Sequence, residues 1–139
     1  MLAVKVDMKG LLLGPMAPAK VRELAAGIIN RLVEMGNERL AEVLRPRPAG
    51  VFLSVGEAGR GKASIGHYRR NLQSRVEGLT GIISDGGVIY GSWLEGTSSR
   101  NQTTRFKGYA SFRKTRDWLD KQTPKVMEEH INRFVRDMN

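Results

Sequence analysis

Apolar and polar residues alternate along this chain with two different periods, and the change of period marks the predicted elements. From Ala3 to Met8, Val4 and Val6 alternate with polar neighbours, which is typical of a short strand with one covered face. From Pro18 onward the apolar residues recur every three or four positions, which predicts a long amphipathic helix. Its stripe consists of Val21, Leu24, Ala25, Ile28, Leu32, Met35, Leu40, Val43 and Leu44.

The middle of the chain has the pattern of a small antiparallel sheet. An apolar run covers Val51 to Val55, a period-two alternation covers Tyr68 to Val76, and a second short run covers Thr80 to Ser84. Glu77-Gly78 and Asp85-Gly86-Gly87 have turn chemistry between and after these segments. We therefore expect three or four antiparallel strands.

The last third of the chain is predicted to be helical. Ser98 to Lys107 is polar and basic, so we expect an exposed loop that can be disordered in the isolated chain. Apolar residues at helical spacing then run from Phe112 to Met138, and Thr123-Pro124 indicates a kinked or two-part helix. The pattern predicts one α+β domain over residues 1–139, with the sheet packed against a long N-terminal helix and a C-terminal helix.

The charge is unevenly distributed, because the formal net charge of +9 is concentrated in the centre of the chain. Residues 43–76 hold seven basic residues and one acid, and residues 96–116 hold six basic residues and no acid. Such a field favours polyanions, either nucleic acid or an acidic protein surface. The chain has no cysteine, which excludes disulfides and cysteine-ligated metals. No apolar run approaches the roughly 20 residues that cross a bilayer, so we expect no membrane association.

The segment Gly56 to Ala63 nearly spells a phosphate-binding loop. That loop requires a serine or threonine after its lysine to ligate magnesium, but Ala63 follows Lys62. The glycines fit better with a flexible hairpin loop that presents Arg60 and Lys62 at its tip. Nucleotide binding by residues 56–62 is therefore the third of three functional hypotheses.

No catalytic or metal site is predicted. The two histidines, His67 and His130, have no acidic cluster at ligand spacing, and no serine has a nucleophile-elbow motif. The paired carboxylates of Glu128-Glu129 diverge on a helix. We expect neither enzymatic activity nor a cofactor.

Nucleic-acid binding is the second hypothesis, because aromatic residues are interleaved with basic ones near residue 100. Such a mixture can stack on bases while it neutralises phosphates. No known nucleic-acid-binding module fits the order of elements, so only non-specific contact is expected. The segment comprises Arg100, Arg105, Phe106, Lys107, Tyr109, Phe112, Arg113, Lys114 and Arg116, and further candidate contacts to DNA or an acidic partner are Arg60, Lys62, Arg69 and Arg70.

The stretch Val88 to Thr97 leads to the first hypothesis. Its apolar residues Val88, Ile89, Trp93 and Leu94 indicate a packing and docking element with no chemistry of its own. It resembles the Tyr-x-x-Trp-Leu-Glu-x-Thr signature of a tail-component family, the tail-completion or neck proteins of long-tailed bacteriophages and prophages. The order of predicted elements is also similar to that family, although the specific likeness is confined to residues 90–113 and leaves residues 56–62 unmatched.

The resemblance implies a virion structural protein that is assembled in the host cytoplasm. Members of the family form rings where the tail tube meets the head, so it implies a homo-oligomer of six copies around the DNA channel. Its partners would be neighbouring neck and tail-tube proteins, with non-specific contact to the DNA in the channel. The candidate interface residues are Tyr90, Trp93, Leu94, Glu95, Thr97, Arg100, Arg105 and Lys107.

Overall fold

A computed structural model describes residues 2–7, 18–44, 68, 70–105 and 107–138 of the chain. Three strands and four helices are formed within these ranges, and they confirm the predicted α+β class with a long helix near each end. The strands are β1 (Ala3–Asp7), β2 (Gln73–Glu77) and β3 (Thr80–Ser84), and the helices are α1 (Ala19–Val43), α2 (Gly91–Glu95), α3 (Arg100–Thr103) and α4 (Ser111–Met138).

The sheet has the order β1-β3-β2, and both pairs are antiparallel. Val4 of β1 and Ser74 of β2 both lie opposite Ile83 of the central strand, and Val4 and Ile83 are buried. Gly81 shares the face of Ile83, because successive strand residues alternate between faces. A Cβ at Gly81 would overlap the Val33 side chain, so this face of the sheet lies directly on α1.

The predicted strand from Tyr68 to Val76 is shorter in the structure. Only its second half pairs in β2, whereas Tyr68 and Arg70 have helical geometry and the Asn71 amide donates to the Tyr68 carbonyl at 3.1 Å. Tyr68 and Leu72 are four residues apart, so their apolar spacing fits a helical turn as well as a strand. The period-two interpretation was wrong for this half of the segment.

The two long helices pack antiparallel. Gly27 of α1 faces the His130 ring of α4, and a Cβ at Gly36 would lie 3.1 Å from Leu119 of α4. The missing side chain at Gly36 therefore allows α1, α4 and the Ile83 side chain of β3 to approach closely. This contact is at the centre of the core.

The C-terminal helix runs as one element from Ser111 to Met138 with Pro124 inside it, so of the two predicted alternatives, a kinked or a two-part helix, the two-part helix does not form. Thr123 does not cap a new helix, because its hydroxyl donates back to the Leu119 carbonyl at 2.7 Å. Proline removes one helical hydrogen bond, and Pro124 lies on the exposed face where water reaches the backbone.

Two sequence predictions lie outside the described residues, namely the strand at Val51 to Val55 and the glycine-rich loop at residues 56–62. In the part of the chain that the structure describes, no helix is long and apolar enough to cross a membrane.

Candidate functional site

The signature segment begins at a buried turn that follows β3. Asp85 is 1% exposed, and its Oδ1 accepts a hydrogen bond from the Gly87 amide at 2.9 Å. A Cβ at Gly91 would overlap Asp85 Oδ2, so only glycine fits where α2 begins. Burial, followed by the nearby Asp85 carboxylate, raises the pKa of the Tyr68 hydroxyl well above its usual range. Tyr68 is therefore neutral at physiological pH.

Helix α2 is a single turn whose end is built from the Gly-Thr pair. Gly96 has a φ of 100°, a left-handed conformation that favours glycine. The amides of Gly96 and Thr97 both donate to the Ser92 carbonyl, at 3.0 and 2.9 Å. Leu94 points into the core and is 6% exposed, while Trp93 is half-buried against it. The signature residues thus encode a helical turn, its anchor and its stop.

Glu95 caps the first turn of α4 from a different element. Its Oε2 accepts hydrogen bonds from the Phe112 amide at 3.0 Å and the Ser111 hydroxyl at 3.3 Å, and its Oε1 accepts one from the Arg113 amide at 3.0 Å. The first amides of a helix have no partners within the helix, and the helix dipole favours a negative charge there. Glu95 is 7% exposed, so this predicted interface residue has an internal role.

A close backbone contact joins the signature to the start of α4. Gly96 and Gly108 have φ values of 100° and 94°, and a Cβ at Gly108 would overlap the backbone of Gly96. The amides of Tyr109 and Ala110 donate to the carbonyls of Leu94 and Glu95, at 2.6 and 3.2 Å. Two strictly backbone-to-backbone connections therefore support the Glu95 cap.

The predicted exposed loop from Ser98 to Lys107 is attached to the same group of contacts around α2 and Glu95, which we call the hub. It contains the short helix α3, and Asn101 is only 4% exposed. The Asn101 side chain donates to the Trp93 carbonyl and accepts from the Ser98 amide, both at 3.0 Å. Lys107 Nζ donates to the Asn101 carbonyl at 2.8 Å. Most of the described residues of this segment are exposed, as predicted, but the helix α3 and the buried Asn101, which ties the segment to α2, were not predicted.

The cations of this segment differ in what they contact. Lys107 is engaged by backbone carbonyls, and the Arg100 guanidinium lies 5.8 Å from the centre of the Trp93 ring. Arg105 is exposed. Of the predicted interface residues, Trp93 contacts Arg100 and is linked through Asn101 to Lys107, while Leu94 and Glu95 belong to the same helical turn as Trp93.

An apolar projection stands on the outside of this hub. Ile89 is 98% exposed and Tyr90 is 39% exposed, and we call these two residues the knob. The Tyr90 ring centre is 6.2 Å from that of Tyr68. The sequence pattern grouped Ile89 with Trp93 and Leu94 as one packing and docking element, but Ile89 does not pack with them within the chain. The side chains of adjacent residues in a tight turn point in different directions, and the pattern of apolar residues alone does not show where such a turn lies.

The remaining candidate contacts give only a partial nucleic-acid surface. Tyr109 and Phe112 are 7% and 4% exposed, so neither ring can stack on a base. Arg113, Lys114, Arg116 and also Arg70 are exposed. Three further candidates, Arg60, Lys62 and Arg69, lie outside the described residues, as does Phe106.

The described residues include no cluster of three or more metal-ligating side chains. A groove of about 380 Å³ lies between the start of α1 and the end of α4, where Lys20, Glu23, His130 and Phe134 line it. His130 Nδ1 lies 2.9 Å from the Val126 carbonyl of its own helix. This geometry does not place a nucleophile beside a base.

Fold and site together define a small α+β protein whose signature segment holds one helix by its first turn and presents an apolar knob beside cations. Comparison with protein-family models, with curated proteins and with solved structures finds no match.

Proposed function

We propose that this chain is a virion structural protein of the head–tail junction of a long-tailed phage or prophage. In this role it forms a ring, of six copies, that joins the tail tube to the head around the DNA channel. The resemblance of residues 90–113 to tail-completion and neck proteins supports the proposal. Its partners are other copies of itself and the neighbouring neck and tail-tube proteins.

The observation that carries the proposal is the exposure of the knob between two anchored segments. Ile89 is almost fully exposed, yet it follows a buried Asp85 turn and precedes a helix that is anchored by Leu94 and Glu95. A fixed apolar projection loses little conformational entropy on binding, which favours a protein–protein contact. The exposed Arg100, whose guanidinium lies 5.8 Å from the centre of the Trp93 ring, adds a charge beside this hub.

Non-specific DNA binding is the second candidate function, and the exposed cations favour it. Arg113, Lys114 and Arg116 lie near the start of α4, where they can neutralise phosphates. The burial of Tyr109 and Phe112 removes base stacking by these two rings. A surface that carries exposed cations suits contact with the phosphates of the DNA in the channel. Nucleotide binding by residues 56–62 has no support from the described residues.

The test is a stop codon early in this gene, in a prophage that encodes the chain. Electron micrographs of the induced lysate should show filled heads and separate tails, and plasmid-borne wild-type protein should restore whole virions. Whole, infectious virions without complementation would contradict the proposed function.

A surface-charge variant refines this test. The double variant Arg100→Gln with Arg105→Gln removes two cations. It leaves Lys107 in place, together with its hydrogen bonds to the Asn101 and Gln102 carbonyls. Complementation by this variant should give fewer joined virions at normal protein levels. The matched control is Lys121→Gln with Lys125→Gln, which removes two exposed cations from α4 and should complement normally.

A further inference from the structure

Strand β2 is an edge strand, and the register of the sheet shows which of its backbone groups point outward. The Asp85 amide donates to the Leu2 carbonyl directly opposite, so these two residues form a hydrogen-bonded pair that continues the β1–β3 ladder. Hydrogen-bonded and non-hydrogen-bonded pairs alternate along an antiparallel ladder. Residues 81 and 83 of β3 therefore bond β1, and residues 80, 82 and 84 bond β2.

The backbone amides and carbonyls of Ser74 and Val76 are not used by the sheet. These residues lie opposite Ile83 and Gly81, whose own backbone groups bond β1 on the other side. The N–H and C=O groups of Ser74 and Val76 therefore point away from β3, and no described strand lies beyond β2. All five residues of β2 are exposed. An edge of this kind can accept a further strand.

The side chains of this edge carry balanced charge on one face and an apolar group on the other. Arg75 and Glu77 share the outer face of the sheet, where their side chains form an ion pair at 2.9 Å and remain more than half exposed. Val76 lies on the opposite face, which packs on α1, and is 37% exposed. The strand has no net charge, on a chain whose net charge is +9. Two copies can therefore approach here without strong repulsion.

Hydrogen bonding limits the ways in which β2 can pair with β2 of a second copy. In an antiparallel pair the outward groups of Ser74 and Val76 bond the same groups of the other copy, so the symmetry axis passes through Ser74, Arg75 or Val76. An axis at Arg75 places two guanidinium groups opposite each other. An axis at Ser74 places Arg75 opposite Gln73. Only the axis at Val76 places Arg75 opposite Glu77 in both directions.

We propose that β2 of one copy pairs antiparallel with β2 of a second copy about an axis at Val76, which joins two three-stranded sheets into one of six strands. Each Val76 amide donates to the Val76 carbonyl of the other copy, and the two exposed valine side chains contact each other. Each Arg75 lies opposite Glu77 of the other copy. Opposite charges across a sheet stabilise a pair, whereas like charges destabilise it. The strand is thus complementary to its own copy, which selects a second copy as the occupant.

This contact goes beyond the proposed junction role and does not depend on it. It joins identical surfaces, so it closes at two copies. The pairing covers only residues 74–78, so the dimer should be weak and should separate on dilution. A ring in native mass spectra would use other surfaces of the chain.

The absence of cysteine allows the axis to be located by disulfide formation. A disulfide requires Cα atoms within about 7 Å, a distance that only residues at the axis reach with their own copies. Under mild oxidation Val76→Cys should give at least tenfold more disulfide-linked dimer than Arg75→Cys. Lys5→Cys, on the exposed outer face of β1, measures random collision.

Two results of this experiment would overturn the proposal. A higher yield from Arg75→Cys than from Val76→Cys would place the axis at the residue where like charges meet. A yield from Val76→Cys equal to that from Lys5→Cys would show that β2 does not meet its own copy. Thermal melting shows that each variant is folded.

Charge exchange tests the complementarity in the cysteine-free chain. Glu77→Arg places bases opposite each other and should raise the dissociation constant of the dimer at least tenfold in sedimentation experiments. Adding Arg75→Glu exchanges the two charges and should restore the dimer. Glu129→Arg makes the same change of net charge at an exposed position of α4 and should leave the dissociation constant unchanged. An exchange variant that stays as weak as Glu77→Arg, or a wild-type chain that is monomeric at all concentrations, would overturn the inference.

Proline at position 76 separates the contact from the fold. The Val76 amide points away from β3, so Val76→Pro removes no hydrogen bond of the sheet but blocks pairing at the axis. The variant should melt cooperatively and remain monomeric at concentrations where the wild type forms dimers. A folded Val76→Pro chain that dimerises like the wild type would contradict pairing through β2.

Discussion

At the scale of single residues, the signature segment is explained by internal structure. Leu94 fills the core, Glu95 caps α4, and Gly96 ends α2 in a left-handed conformation. None of these roles requires a partner molecule. Ile89 and Arg105 face outward and are not part of the eight-residue signature pattern, whereas the exposed Tyr90 and Thr97 are its first and last residues.

Replacing Glu95 by glutamine should lower the free energy of unfolding by about 1 to 3 kcal/mol. The change removes the charge at the start of α4. It also replaces one carboxylate oxygen, which accepts a hydrogen bond from a backbone amide, with an NH2 group that can only donate. Urea denaturation measures the loss. The exposed Glu129→Gln variant is the control and should change stability by less than about 0.5 kcal/mol.

Gly108→Ala should destabilise the fold more than Gly78→Ala does. Both glycines have positive φ, 94° and 59°, which costs an alanine about 1 to 2 kcal/mol. At Gly108 the added methyl group also overlaps the backbone of Gly96, whereas nothing lies within 4 Å of it at Gly78. Equal losses in denaturation experiments would show that the contact between residues 96 and 108 relaxes freely.

Tyr68 should make stability fall at alkaline pH. Its pKa is raised in the folded state by burial and then by Asp85, so its contribution is complete below the unfolded pKa of about 10 and is lost as the pH rises above it. Unfolding free energies at pH 8, 9.5 and 11 should decline less steeply in Tyr68→Phe than in wild type.

At the scale of elements, the hydrophobic period was a good guide where it persisted for several turns. The stripes of α1 and α4 and the short strands β1 and β3 were predicted at nearly their observed bounds. The pattern failed at Tyr68, where two periods fit the same spacing, and at Ser98 to Lys107, where a single buried residue, Asn101, orders a polar segment. A single buried polar residue leaves no periodic pattern in the sequence.

The cap of α4 was also beyond sequence reasoning. Glu95 and Phe112 are 17 residues apart, and the hydrogen bond between them depends on the close approach of Gly96 and Gly108. No local capping motif contains such a pair. The candidate site could be located from its signature, but its internal roles required coordinates.

Pro124→Ala should stabilise α4 by about 1 to 3 kcal/mol. Alanine restores the hydrogen bond to the Asp120 carbonyl and has a higher helix propensity, and position 124 is exposed. Urea denaturation should show a higher midpoint with an unchanged slope. Lys125→Ala, the neighbouring exposed position, is the control and should differ little from wild type; a loss of stability in Pro124→Ala would mean that the helix requires the proline's local geometry.

At the scale of the whole molecule, the charges of α4 are distributed along its length. The start of the helix carries Arg113, Lys114 and Arg116, and the acids Asp117, Asp120 and Glu128 follow. A polyanion would therefore bind the start of α4 more favourably than its middle. Salt should weaken this interaction, since it depends on charges exposed to solvent.

DNA binding should be weak, independent of sequence and strongly dependent on salt. If Arg100, Arg105, Arg113, Lys114 and Arg116 each neutralise one phosphate, the logarithm of affinity should fall against the logarithm of salt with a slope of about −4.5, and a further contact by the exposed Arg70 would make the slope about −5.4. Fluorescence anisotropy on two unrelated duplexes at three salt concentrations measures this. A preference above tenfold for one duplex would contradict a purely electrostatic contact.

The Glu95 cap makes two distant parts of the chain open together. The amide protons of Phe112 and Arg113 can exchange with solvent only when the carboxylate withdraws, and α2 must then leave its place. First-turn amides usually exchange fastest in a helix, but here their protection reports the attachment of the signature segment. A neighbour that covers Ile89 should slow deuterium uptake at these amides without touching them.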